Sequence, residues 1–244
     1  MEVTKLLLIC AAPRTGSNLL CEALRTSGLA GRPSEYFHKN RRAQNITEWG
    51  ISGDLRSYAS GIVDRTKSAN GVVSSKLFPR HLALLEEDGF LPGPERLSQL
   101  IEAFDAKEAI LVRLARENEL DQAISLVRAS QTKQWRSNNA AIADPQYDGK
   151  AIDKALRKIK NTEQEWEREF KISGLSPQLS ITYEHDLGAQ HHLARTCGRI
   201  FELLDVDDWP EAAKVVLAAS LRTERQADRL NAEWKDRFEQ ETGR

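Results

Sequence analysis

Among 244 residues there are three cysteines, an odd number without a plausible pairing pattern. A disulfide framework is thereby excluded, and a reducing compartment is expected. Cys10 and Cys21 fall on apolar faces, where buried thiols are common. Neither sign of charge dominates: 35 basic and 36 acidic side chains leave a net charge of −1. The whole-molecule field therefore gives nucleic acid or an anionic membrane no reason to bind, and any affinity for an anion has to be local. No segment approaches the ~20 apolar residues needed to span a bilayer. The apolar run Leu6 to Ala12 is short for a secretory signal, is preceded by Glu2 as well as Lys5, and continues directly into folded-domain patterning. A soluble, cytoplasmic protein is expected. Repeats, coiled-coil heptads, low-complexity tracts and metal-ligand clusters are also missing, so no metal is expected. Most telling, the nucleotide-triphosphatase loop GxxxxGK[ST] does not occur. The only Gly-Lys pair, Gly149-Lys150, is followed by Ala151 and lies far from any launching strand, which demotes ATP or GTP hydrolysis.

What is present begins with Leu6-Leu7-Leu8-Ile9-Cys10-Ala11-Ala12, an apolar run suited to a fully covered parallel strand. Leu19, Leu20, Ala23 and Leu24 then give the one-sided pattern of an amphipathic helix that stops at Gly28. The intervening Pro13-Arg14-Thr15-Gly16-Ser17-Asn18 has the layout of an anion site. A strand-loop-helix turn aims unpaired N–H groups and the positive end of the helix dipole at its guest. Arg14, Ser17 and Asn18 add side-chain donors, Gly16 permits close approach, and the Arg14 guanidinium can fork onto one tetrahedral group. Phosphosulfate or phosphate is the expected guest.

Further strands are expected at Gly71–Phe78, Ala109–Leu114 and Leu179–Tyr183, with helical patterns between them. This alternation argues for an α/β protein whose mainly parallel sheet is flanked by helices and binds ligands at the carboxyl ends of its strands. Loops are expected at Gly89–Pro94 and Asn138–Gly149, and Lys150 to Phe170 reads as a charged helix striped by Ile152, Leu156, Ile159, Trp166 and Phe170. With 40% hydrophobic residues, the chain can bury one good core, and residues 1–244 are expected to form a single domain.

The run Ala12 to Leu24 and the following Gly28-Leu29-Ala30-Gly31-Arg32-Pro33-Ser34-Glu35-Tyr36-Phe37 resemble the N-terminus of the bacterial trehalose 2-sulfotransferase family. Asp121 to Ala129 with Gln131, Thr132 and Trp135, then Tyr183-Glu184, then Arg225-Gln226-Ala227-Asp228 with Asn231 and Trp234, resemble family blocks in the same order. The resemblance covers nearly the whole chain. It implies a P-loop-like sulfotransferase fold with a helical C-terminal part and a homodimer. The implied co-substrate is 3′-phosphoadenosine 5′-phosphosulfate (PAPS), and the implied partner is a small carbohydrate or glycolipid acceptor.

The resemblance places the catalytic glutamate at Glu35, as general base, and the 5′-phosphosulfate on Arg14, Thr15, Gly16, Ser17 and Asn18. Arg14 would also stabilise the sulfuryl group in flight, by analogy with phosphoryl transfer. His38 is the alternative base, Arg32 a weaker candidate, and Tyr36 and Phe37 are either a wall for a sugar ring or core. The cofactor's 3′-phosphate demands a second cluster of donors, for which Arg113, Arg116, Ser125 and Arg128 are available. Sulfotransferases generally place a serine eight residues after the arginine; here Ser125 follows Arg116 by nine and Arg113 by twelve, so both arginines stay open, Arg116 first. Lys76 ends a strand and is either a site residue or an ordinary strand-end lysine. The C-terminal Arg225–Asn231 block would fold back near the cofactor, with Gln226 and Asp228 orienting loops. His185 interrupts the usual Tyr-Glu-Asp-Leu order, which makes Tyr183-Glu184 structural. A magnesium-dependent small-molecule kinase and a non-catalytic nucleotide-binding relative remain as alternatives.

Overall fold

The computed structural model describes residues 2–51, 53–135, 140–219 and 229–243. Four strands, β1 (Val3–Ala11), β2 (Val72–Leu77), β3 (Ala106–Ala115) and β4 (Leu179–Thr182), pair in the order β2-β1-β3-β4, all parallel. The chain steps from β1 to one side and then returns to the other, so the loops leaving β1 and β3 diverge at the topological switch point. A crevice for ligands opens there.

The strand ends differ from the sequence expectation in an instructive way. β1 begins at Val3 and β3 at Ala106, because Lys5, Lys107 and Glu108 lie on the paired strands although they break the apolar run. Lys5 answers burial with Glu108 and Asp205 carboxylates at 3.1 and 2.6 Å.

Period-2 alternation sorts the strand side chains onto two covered faces. Leu7, Ile9, Ala11, Ile110, Val112 and Leu114 pack beneath α1 (Ser17–Ser27), α8 (Gln190–Leu203) and α9 (Trp209–Ala218). Leu6, Leu8, Cys10 and Leu111 face the other way, against α3 (Leu55–Thr66), α4 (Pro79–Glu87), α5 (Arg96–Glu102) and Trp166 of α7 (Gly149–Ser173). Leu6, Leu7 and Leu8 are fully buried. Truncating any of them to alanine costs about 2–5 kcal/mol. A third cluster joins α6 (Glu119–Thr132), α7 and α10 (Arg229–Thr242) through Ile124, Val127, Ile152, Ile159, Trp234 and Phe238, the helical C-terminal part.

Cys10, Cys21 and Cys197 are free and buried. Burial pushes the Cys10 thiol up to about 12, which leaves it inert. No helix among the described residues is long and apolar enough to cross a membrane.

Candidate functional site

The loop after β1 is fixed by its carbonyls. Trp166 Nε1 donates to Ala11 O at 2.8 Å, Thr15 Oγ1 to Ala12 O at 2.8 Å, Gln122 Nε2 to Pro13 O at 2.8 Å, and Arg116 Nη1 reaches Arg14 O at 3.5 Å. Thr15 and Gln122 are fully buried. With successive carbonyls tied to the protein interior, the chain reverses through Arg14 (φ 67°) and Gly16 (φ 81°), both left-handed, and enters α1 at Ser17. The amides of the first helical turn have no intrahelical acceptors and, with the dipole behind them, suit an anion. Gly16 is required twice over: its φ disfavours a side chain, and a Cβ there would lie 2.5 Å from Cδ2 of the Tyr183 ring.

This geometry refines the roles expected of the loop. The Thr15 hydroxyl is engaged with Ala12, so Thr15 offers a ligand its N–H. Gly16, not Ser17, is the N-cap, and Ser17 occupies the first helical position with 5% exposure. Arg14 Nε donates to Ser125 Oγ at 2.9 Å and Nη1 to Trp135 O at 3.1 Å, which sets Ser125 of α6 beside the loop. Burial first, and then the like charges of Arg116 and Arg128 against an opposing contribution from Tyr183, hold Arg14 below its ordinary pKa. A guanidinium stays charged regardless. Convergent positive charge of this kind is relieved by an anion, which is the fit a phosphosulfate requires.

Glu35 arrives from a different direction. β2 is an edge strand, and the segment after α1 covers it: Ser74 Oγ donates to Ala30 O at 2.6 Å and Lys76 N to Ser34 O at 2.9 Å. Glu35 thereby reaches the carboxyl end of β2. Lys76 Nζ lies 2.5 Å from Glu35 Oε1 and 2.6 Å from Asn18 Oδ1. Lys76, only 2% exposed, thus joins the anion loop to the carboxylate. Burial works to raise the Glu35 pKa, but the Lys76 charge and hydrogen bond, with smaller help from His81 and His38, bring it below the ordinary carboxylate value. At neutral pH Glu35 is ionised.

His81, which no sequence motif singles out, completes this corner. Its Nδ1 accepts the Phe78 N–H at 3.2 Å at the start of α4, so the neutral ring carries its proton on Nε2, 3.9 Å from Glu35 Oε2. Burial, outweighing the attraction of Glu35, lowers its pKa to about 4. His38 is exposed and sits edge-on to His81, with ring centroids 6.1 Å apart. Arg32 is exposed. Tyr36 and Phe37 are core residues, packed with Tyr58 and Phe104, and form no wall for a sugar.

Arg113 on β3 and Arg116 just beyond its end part company. Arg113 Nη1 donates to Cys10 O at 3.0 Å and Leu114 O at 2.6 Å, its Nη2 pairs with Glu163, and its guanidinium lies 5.8 Å from the Trp166 ring. It braces α7 against the strand ends. Arg116, stacked 4.8 Å over Tyr183, pairs with Glu184 at 3.2 Å and more loosely with Asp121 at 3.6 Å, on the side where Arg14 holds Ser125. Glu184 lies in a single π-helical turn, Tyr183–Leu187, and also accepts the Glu117 and Asn118 amides at 3.0 and 3.3 Å. Arg128 Nη1 donates to Asn231 Oδ1, which brings α10 over α6. Arg225, Gln226 and Asp228 lie outside the described residues. Trp49 stacks on Tyr58, whereas Trp135 is 44% exposed beside Arg14.

The family model described as Stf0 sulphotransferase matches residues 7–241. Two relatives are both named trehalose 2-sulfotransferase. The protein from Mycobacterium tuberculosis (strain ATCC 35801 / TMC 107 / Erdman) is 27% identical over 271 residues, spanning 97% of this chain and 95% of the relative. That from Mycolicibacterium smegmatis (strain ATCC 700084 / mc(2)155) is 26% identical over 273 residues, with 97% and 95% covered.

Proposed function

The chain belongs to the Stf0 sulphotransferase family, and on that premise we propose that it moves a sulfuryl group from PAPS to a hydroxyl of a carbohydrate or glycolipid, trehalose-like sugars included. The observation that carries the reading is the direct link from anion loop to carboxylate, Asn18 to Lys76 to Glu35. It sets a proton acceptor beside a strand-loop-helix turn whose Ala11, Ala12, Pro13 and Arg14 carbonyls are engaged by the protein.

In this reading the loop amides and Asn18 hold the 5′-phosphosulfate, and Arg14 balances the charge on the sulfuryl group and the departing phosphate. Glu35 Oε1 is tied to Lys76, so Oε2 takes the proton of the attacking hydroxyl. An S–O bond to the acceptor forms in line as the S–O bond to the phosphate breaks, and adenosine 3′,5′-bisphosphate leaves. Arg116 and Ser125 are the pair for the 3′-phosphate. The carbonyl, Glu163 and Trp166 contacts of Arg113 support Arg116 over Arg113 for that role.

Titration calorimetry without metal tests the donor. Adenosine 3′,5′-bisphosphate is expected to bind at least about tenfold tighter than ADP or ATP, since a lost charge-assisted contact is worth about 1.4 kcal/mol or more. Equal affinities would overturn the PAPS assignment.

A further inference from the structure

Lys76 stands between two acidic demands, only one of which belongs to the protein. Its side chain is 3% exposed, and its ammonium has Glu35 Oε1 at 2.5 Å and Asn18 Oδ1 at 2.6 Å and rests 5.3 Å from the centroid of the Phe78 ring. Asn18 lies in the first turn of α1, where the guest's negative charge would be received. Its carboxamide is neutral, so within this trio Glu35 is the ammonium's only anionic partner. The groups facing Glu35 are Lys76 from β2, His81 from α4 and the exposed His38 that precedes α2 (Lys39–Trp49). His81 is neutral with its proton on Nε2, directed toward Oε2 at a distance too long for a hydrogen bond.

A carboxylate held by an ammonium is a weak base. The arrangement would therefore oppose the reaction if it persisted through it. On the sulfotransferase reading given above, we infer that Lys76 is a positioning residue that hands its charge from Glu35 to the incoming anion, so that Glu35 becomes a competent proton acceptor only with the donor in place. A second anion at Asn18 competes for the same ammonium, and each carboxylate contact it weakens makes Glu35 more basic. The neutral imidazole of His81 faces Oε2 without adding a second cation that would undo this gain. Deprotonation of the acceptor is thereby tied to the presence of the group that the resulting oxygen must attack.

Binding of adenosine 3′,5′-bisphosphate, followed by calorimetry in buffers of different ionisation enthalpy from pH 5 to pH 8, reads the coupling directly. The wild type is expected to take up protons on binding relative to Glu35→Gln. This difference cancels the ligand's own protons, which are common to both proteins. In Lys76→Met the Glu35-dependent uptake should fall by more than half, and Lys76→Arg should restore it. Full uptake in Lys76→Met would show that the anion acts on Glu35 without Lys76 and would overturn the inference, as would equal uptake in wild type and Glu35→Gln. Failure of the wild type to bind the bisphosphate would overturn the donor assignment itself. A second measurement needs no variant: the acid limb of kcat should lie on the order of one pH unit above that of kcat/KM for PAPS. Coincident limbs would reject the coupling even if Lys76→Met failed to fold.

Discussion

Glu35 and Glu184 are two carboxylates at strand ends of the same sheet, and both titrate below the ordinary carboxylate range against the opposing effect of burial. The causes differ. Glu184 is held by backbone amides, including those of Glu117 and Asn118, and then by Arg116, groups that cannot move without taking the β3–α6 loop with them. Glu35 is held by a lysine at the end of four methylenes, whose other partner is an uncharged amide oxygen on the anion loop. The same direction of shift thus describes a structural staple in one place and a displaceable contact in the other. A depressed pKa says little about function until one asks whether its cause can be removed.

The comparison breaks most visibly in turnover. Glu35→Gln should lower kcat by about 10²-fold or more while leaving bisphosphate affinity no weaker than wild type, whereas Glu184→Gln should keep kcat close to wild type. Equal losses in steady-state assays would erase the distinction. Next in size is Gly16→Ala, which forces a Cβ onto the Tyr183 ring beside the Arg116–Glu184 staple. It should abolish measurable bisphosphate binding and lower stability by about 1–3 kcal/mol, read from the urea midpoint.

The acid response sharpens the contrast further. His81 is held below its unfolded value of 6.5, so the stability of the neutral buried ring is full above that value and is lost as pH falls toward about 4. Glu35 and Glu184 contribute stability that is full above about 4.5 and is lost as pH falls through their lower folded values. Denaturant midpoints should therefore drop in two stages. His81→Gln should flatten the first stage, a change of up to about 3 kcal/mol, and Glu184→Gln the second. Glu184→Gln at pH 7 is expected to cost about 1–3 kcal/mol as well, because the Glu117 and Asn118 amides donate to different carboxylate oxygens, only one of which survives in the amide, and the charge that answers Arg116 is lost. A midpoint unchanged from wild type would remove Glu184 from its role as staple.

Legibility in the sequence followed how local each feature is. The sheet was visible because apolar runs announce covered strands, and the β1–α1 turn because its residues are adjacent. The first residues of β1 and β3 were hidden by Lys5, Lys107 and Glu108, whose partners come from elsewhere in the chain. Within the site, the spacing of Arg113 and Arg116 from Ser125 left two choices. What favours Arg116 is the set of contacts each guanidinium makes, and spacing along the chain does not encode those. Lys76 looked like any strand-end lysine until the edge-covering segment put Glu35 against it. His81 carried no signal at all: its neutrality and its proton position depend on burial and on the Phe78 amide. The π turn at Tyr183 was invisible as well, although the Tyr183 ring explains why the residue at position 16 must be glycine.

The props of the first loop also impose an order in time. Residues 11–16 are made first, yet what fixes them comes from Arg116, Gln122, Trp166 and Tyr183, all of which follow β3 or close it. A growing chain carries the anion motif long before it carries the anion site. The donor cannot serve as a template for early folding, and such long-range closure is slow. The loop gains its last props only once α7 and Tyr183 have been made, so a product that stops short of α7 is expected to leave this loop unpropped.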